Sequence, residues 1–170
     1  MGEDKKMNYQ DTIIQKYLDL IKTNCGGGIK CFYNGTKMQI PLSTLPMVMI
    51  DIEGTEATEF SNSEDQHIVS LVLTYIADMR QDTSAAQLME ESFGKVLEAL
   101  VGRESNYSLK TKSILYVLRH NLNIDTTNNL RTDVGSLTVA TPRQVGTGRM
   151  PGYWSVEGTI RFKAHFVQIR

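Results

Sequence analysis

The sequence predicts an α+β fold, a mostly antiparallel sheet packed against two or three helices, and three observations carry that reading. Apolar residues recur at helical spacing over residues 9–23 and again from Ser84 to Leu100. Near the end of the chain Trp154, Val156, Ile160, Phe162, Ala164 and Phe166 alternate with Ser155, Glu157, Thr159, Arg161, Lys163 and His165, a strand with one core face and one wet or partner-facing face. After Pro46, residues 47–52 form a near-continuous apolar run, as expected of a strand buried on both faces. Helix, strands, helix, strands in that order describe helices layered on a sheet.

Each element has its own justification. In the first helix Ile13, Ile14, Tyr17, Leu18 and Ile21 make the apolar stripe, Asp11 stands near the start, and Asn24 with Gly26–Gly28 ends it. Residues 29–33 and 37–40 flank Asn34-Gly35, the strongest short-range hairpin signal, and Pro41 closes that unit. Residues 51–65 hold six acids, Asp51, Glu53, Glu56, Glu59, Glu64 and Asp65, and no base, which reads as a solvated loop. Residues 68–79, rich in Val, Ile, Leu, Thr and Tyr, read as a long central strand. The second helix carries Leu88, Met89, Phe93, Val96, Leu97 and Leu100, with Gly102 as its cap.

Residues 109–122 suit a helix or a strand, Ile114, Leu115, Val117, Leu118 and Leu122 favouring the helix. A polar, Asn- and Thr-rich loop at 123–133 and a short strand at 134–140 follow. Residues 141–152 read as a Pro/Gly-rich mobile arm whose charges are Arg143 and Arg149. The chain of 170 residues is then a single domain with one arm, long enough to bury a proper core.

Charge divides the chain. Residues 1–102 carry 8 Lys/Arg against 15 Asp/Glu, a net of −7, whereas residues 103–170 carry 10 against 4, a net of +6. A molecule so polarised attracts copies of itself head to tail, and a repeated directional contact closes into a ring or runs on as a filament. At 41% hydrophobic and 22% charged the composition is that of an ordinary globular domain. No apolar run reaches the roughly 18 residues of a membrane span, and the start, MGEDKKMNYQ, lacks a signal-peptide core. The expectation is a protein with no membrane association, cytosolic where it is made. Cys25 and Cys31 read as reduced thiols, since one pair without a second pair or a His cluster is poor zinc spacing.

Candidate chemistry is sparse. Asp51 and Glu53, two apart on a strand, resemble the acid pairs that hold Mg²⁺ in nucleases, but no Glu-x-Lys follows, and a strand end entering an acidic loop accounts for them. Gly146-Thr147-Gly148 leads into a strand, whereas a phosphate cradle needs a following helix N-terminus. His67, His120 and His165 stand apart from ligand-spaced partners, and no Ser lies in a nucleophile elbow. These features predict no catalytic residues, no cofactor and no metal. Arg119, Arg131, Arg143, Arg149, Arg161, Lys163 and Arg170 offer a basic patch for a non-specific contact with DNA, though the pI near 6.3 argues against a dedicated DNA binder.

The order of elements resembles a known family. An N-terminal amphipathic helix precedes a short hairpin ending in Ile40-Pro41, and the apolar strand Leu45-Pro46-Met47-Val48-Met49-Ile50 runs into the acidic turn Asp51-Ile52-Glu53-Gly54-Thr55-Glu56. A long strand, a helix and a closing strand with an aromatic face complete it. This pattern is similar to the tail terminator, or tail-completion, proteins of long-tailed bacteriophages and to the wider group of small neck and tail proteins. The resemblance implies a hexameric ring that caps the tail tube and joins it to the head-side connector. It further implies a virion location after assembly in the host cytoplasm, and no catalytic residues. Within such a ring Asp51, Glu53, Glu56, Glu59, Glu64 and Asp65 of one subunit are expected to face Arg143, Arg149, Arg161 and Lys163 of its neighbour.

Overall fold

A computed structural model describes residues 8–37, 39–61, 63–78, 88–145 and 154–169. The fold is α+β: among the described residues three helices lie against a curled, mostly antiparallel sheet of seven strands. Helix α1 spans Tyr9–Cys25, α2 Leu88–Val101 and α3 Ile114–His120. The strands are β1 (Cys31–Asn34), β2 (Met47–Ser61), β3 (Glu64–Asp78), β4 (Asn123–Asp125), β5 (Leu130–Val139), β6 (Arg143–Val145) and β7 (Ser155–Ile169). They lie in the order β1-β2-β3-β7-β5-β4, with β6 also paired to β7. Within the ambiguous stretch 109–122, residues 114–120 are helix, the N-terminus capped by Ser113, whose hydroxyl accepts from the Tyr116 N–H, whereas Leu109 makes an isolated β-bridge to Arg103.

Strand alternation sets the core. Val69, Leu71, Leu73, Tyr75 and Ala77 of β3 lie between Val48 and Ile50 of β2 and Val156, Ile160, Phe162 and Ala164 of β7, all turned to one face. Ile13, Ile14, Tyr17, Leu18 and Ile21 of α1 cover that face together with Val96 and Leu100 of α2 and Ile114, Leu115 and Leu118 of α3. Met47, Met49 and Ile76 point to the opposite face, where Ile40 and Leu45 form a smaller cluster with them. The run after Pro46 is therefore buried on both faces, as its composition predicts.

Within the core Tyr17 is fully buried, its hydroxyl 2.8 Å from that of Thr132 and its ring edge-on to Phe162 at 4.9 Å. Burial pushes the Tyr17 phenol well above its usual range, an effect the Thr132 hydrogen bond partly opposes. Gly158 is where α2 comes closest to the sheet: a Cβ there would lie 2.5 Å from Leu100 Cδ1 and 2.7 Å from Val96 Cγ1.

Several expectations need correction. Asn34-Gly35 does turn, Gly35 taking φ +93°, but it makes no hairpin. The chain instead loops through a 3-10 turn at Leu42–Thr44 and enters β2 alongside β1, so that the two strands are parallel, Cys31 opposite Met47. The acidic segment 51–65 is not a loop: β2 runs to Ser61 and β3 starts at Glu64, so these acids line a long hairpin. The polar segment 123–133 holds β4, a turn with Asn129 at φ +51°, and the start of β5. Within the expected arm, residues 143–145 are strand, and residues 146–152 lie outside the described residues.

Side-chain placement differs at several positions. Trp154 precedes β7 and is 51% exposed, and Leu97 and Leu122 are also exposed rather than core. Ser155 and Glu157, expected on a wet face, are each 2% exposed, because the smaller cluster and β6 cover that end of the sheet.

Candidate assembly surface

The charged residues singled out from the sequence lie on the long hairpin β2–β3 and on the strand beside it. Asp51, Val72 and Arg161 form one cross-strand row, and Gly54, Ser70, Lys163 and Asp133 form the next, on the face turned away from the helices. The register slips between Ile52 and Gly54, leaving Glu53 as the extra residue of a β-bulge. That bulge turns Glu53 toward Arg161, whose Nε donates to both carboxylate oxygens at 3.1 and 3.2 Å. The pair is about half exposed and is worth no more than ~1 kcal/mol.

This contact bears directly on the expected division of charge. One acid and one base assigned to opposite subunits meet within a single chain, two strands apart. Asp51 is engaged locally as well, its Oδ2 accepting from the Thr36 hydroxyl at 2.5 Å and its Oδ1 from the Ile52 N–H at 2.8 Å. Asp51 and Glu53 are thus each engaged within the chain, both line one pocket with Asp11, and among the described residues no group of three His, Cys, Asp or Glu side chains is placed to hold a metal ion.

The remaining acids follow the hairpin outward. Glu56 is exposed opposite Ile68, Glu59 stands opposite Asp65 in the register, and Glu64 faces Ile169 across the β3–β7 ladder. Lys163 is exposed between Ser70 and Asp133. Arg143 is exposed on β6 opposite Glu157, and Arg149 lies outside the described residues. His165, expected simply to be exposed, is half-buried, with Nδ1 3.3 Å from the Gln66 amide nitrogen and Nε2 3.6 Å from Asp133.

Sequence reasoning missed a cleft of 510 Å³ beside the C-terminal half of β7. One wall is a single face of α1, Tyr9, Thr12, Ile13 and Lys16; the other is Phe166, Val167 and Gln168 of β7, and the β4–β5 turn closes the end. The Phe166 ring lies 5.9 Å from Tyr9 and stacks on His67 at 4.7 Å. Lys16 Nζ is 3.4 Å from Asp125, whose carboxyl is held below the usual carboxylate range by the Asn128 amide first, with help from Lys16 and the Thr127 N–H. The spacing of Tyr9, Thr12, Ile13 and Lys16 was readable in the sequence; that β7 would run past the end of β5 was not.

Cys25 and Cys31 are free thiols, and burial pushes the Cys25 thiol up to about 11. No helix among the described residues is long and apolar enough to cross a membrane.

No family model matches the chain, and no curated protein matches it. Among solved structures 26 chains match. One of them aligns over 99% of this chain and 99% of its own length, at 9% identity and a TM-score of 0.38, a level at which the likeness carries no argument.

Proposed function

We propose that this protein is a structural component of a phage tail or neck, a ring-forming subunit that caps the tail tube and joins it to the head-side connector. The observation that carries the reading is the outer half of the β2–β3 hairpin. Residues 54–58 are exposed on both faces of β2, and the ladder extends to Ser61 away from the helix-covered core. An acidic, well-paired arm of this kind suits contact with another chain better than it suits chemistry. The element order read from the sequence resembles the tail-terminator pattern and supports the reading, with the short hairpin replaced by a parallel strand pair and the acidic turn by continuous strand. The partners are copies of itself, the tail tube and the neck connector, with a non-specific, salt-sensitive contact to DNA in the lumen through exposed bases such as Lys163 and Arg143. The working location is the virion, after assembly in the host cytoplasm.

The Glu53–Arg161 pair removes one of the inter-subunit contacts expected from sequence, and the reading stands on the arm and the remaining charges. Its test is sedimentation of the purified protein at low and high salt, with and without isolated tail tubes. Salt-sensitive association, or binding to the tube end seen by electron microscopy, is the expected result. A monomer at every concentration that also ignores tail tubes overturns it.

A further inference from the structure

We infer that neighbouring copies join where the acidic outer half of β2 in one copy pairs with the open edge of β1 in the next, beside a pocket of lysines. The inference rests on the ring reading above and names its contact. Two open edges carry it. Among the described residues, residues 54–61 of β2 have a ladder partner on one side only, β3, because β1 accompanies β2 no further than Ile50. β1 itself ends the sheet, its residues 31–34 pairing with β2 and with no other described strand. An open edge presents backbone N–H and C=O groups, the template on which an extended chain adds.

Charge decides which chain that is. Beside β1 lies a pocket of 890 Å³, where the end of α1, the Gly26–Gly28 turn and the start of β1 meet. Lys22, Lys30 and Lys112 line it, all three exposed, and no acid does. The ion pairs of the described residues engage Lys16, Lys110, Arg161 and His165 and leave these three lysines unpaired. Lysines beside an open edge oppose a neutral or basic strand and favour an acidic one. The outer half of β2 is such a strand: residues 54–61 carry Glu56 and Glu59 and no base, and Glu56 is exposed.

The two surfaces cannot satisfy each other within one subunit. β1 lies beside residues 47–50 of β2, and a strand rises roughly 3.3 Å per residue, so Glu56 and Glu59 stand about 20 and 30 Å along β2 from Ile50. Unlike Glu53 and Arg161, they meet only between copies. A patch at one end of a strand that binds a different patch at the other end makes a head-to-tail contact, the kind that closes into rings.

The experiment exchanges these charges in the full chain. Glu56→Lys and the double variant Lys22→Glu with Lys112→Glu alter exposed side chains only. Each alone is expected to self-associate at least tenfold more weakly than the unaltered chain in low-salt sedimentation. Their equimolar mixture is expected to associate more tightly than either, since each arm then meets a pocket of opposite charge. In parallel, hydrogen exchange of the unaltered chain is expected to slow by tenfold or more at residues 31–34 and 54–61 between dilute and concentrated solution. A mixture no tighter than its components overturns the inference. Association without protection at these two edges overturns the edge contact but leaves the ring reading standing. Duplex DNA binding that is lost in the double variant while self-association is unchanged assigns the lysines to phosphates and overturns it as well. A monomer at every concentration also overturns the edge contact, and tail-tube binding then decides the ring reading separately. The exchange measurement, made on the unaltered chain, keeps the result decisive if the variants fold poorly.

Discussion

Gly158→Ala is the sharpest test of how the helices sit on the sheet. Gly158 stands opposite Tyr75 on the inner face of β7, directly beneath α2. The added methyl would begin 2.7 Å from Val96 Cγ1 and 2.5 Å from Leu100 Cδ1, each about 1 Å inside ordinary carbon–carbon contact. Val96 is β-branched and on a helix holds one strongly preferred rotamer, so it has no cheap way to withdraw. Leu100 has a rotatable end, but it is fully buried, and a close-packed interior resists a change of rotamer. The helix must therefore rise or the strand bend, and overpacking of this kind costs about 1–3 kcal/mol. For a chain of this size each kcal/mol lowers Tm by roughly 2–4 °C, so a fall of about 2–12 °C is expected by calorimetry. Val96→Ala alone destabilises by removing buried methyls, yet in that background Gly158→Ala should cost at least ~1 kcal/mol less than in the unaltered chain, a coupling measured by a double-mutant cycle. If Gly158→Ala is neutral, or costs the same with and without Val96, then α2 does not rest on β7 as described.

Three further outcomes follow from buried or capping groups. Tyr17→Phe strands the Thr132 hydroxyl in the core and should cost about 1–2 kcal/mol by urea titration, while Tyr17→Phe with Thr132→Val should recover much of it; equal loss in both would refute the hydrogen bond. Ser113→Ala removes the hydroxyl that caps α3 and also donates to the Lys110 carbonyl at 2.8 Å, so a loss of about 1–2 kcal/mol is expected, and an unchanged midpoint would contradict the cap. With its thiol pushed up to about 11 from an ordinary value of 9.0, Cys25 should alkylate at pH 8 on the order of a hundredfold more slowly in the folded chain than in urea. The sign for stability follows: the raised thiol and the raised Tyr17 phenol both favour the folded state while neutral. That contribution is complete below their unfolded values and fades as pH climbs, from about 9 to 11 in the case of Cys25, so alkaline midpoints should fall.

The sequence was most readable where one face of an element is dry and the other wet. α1, α3 and the 155–166 strand each bury residues their periodicity marks, because a 3.6- or 2-residue repeat survives whenever half the element meets the core. It was least readable where that contrast vanishes. The outer half of β2 is exposed on both faces, so Thr55, Glu56, Ala57 and Thr58 show no alternation, and the bulge at Glu53 breaks the register besides. Six acids without a base look like a loop for the same reason, since nothing in composition separates a solvated loop from a solvated hairpin. Asn34-Gly35 misled differently: the turn formed, but the pairing of β1 was decided by the long-range parallel match of Cys31–Asn34 to Met47–Ile50.

The charge division of the chain acquires a different meaning once placed on this fold. Sequence halves are not surfaces: β7 is drawn from the basic half, β2 and β3 from the acidic half, and all three lie side by side. Near the core end of the ribbon this neighbourhood is closed, and Glu53 meets Arg161 inside one subunit. Farther out Glu56 is exposed opposite Ile68, and Lys163 stands between Ser70 and Asp133. If copies associate through the outer half of the β2–β3 hairpin, Glu53→Gln should leave self-association unchanged within about twofold, whereas Glu56→Lys should weaken it at low salt by tenfold or more, since Glu53 is engaged by Arg161 of its own chain and Glu56 is exposed. The reverse ranking would return the charge division to internal balance within one chain.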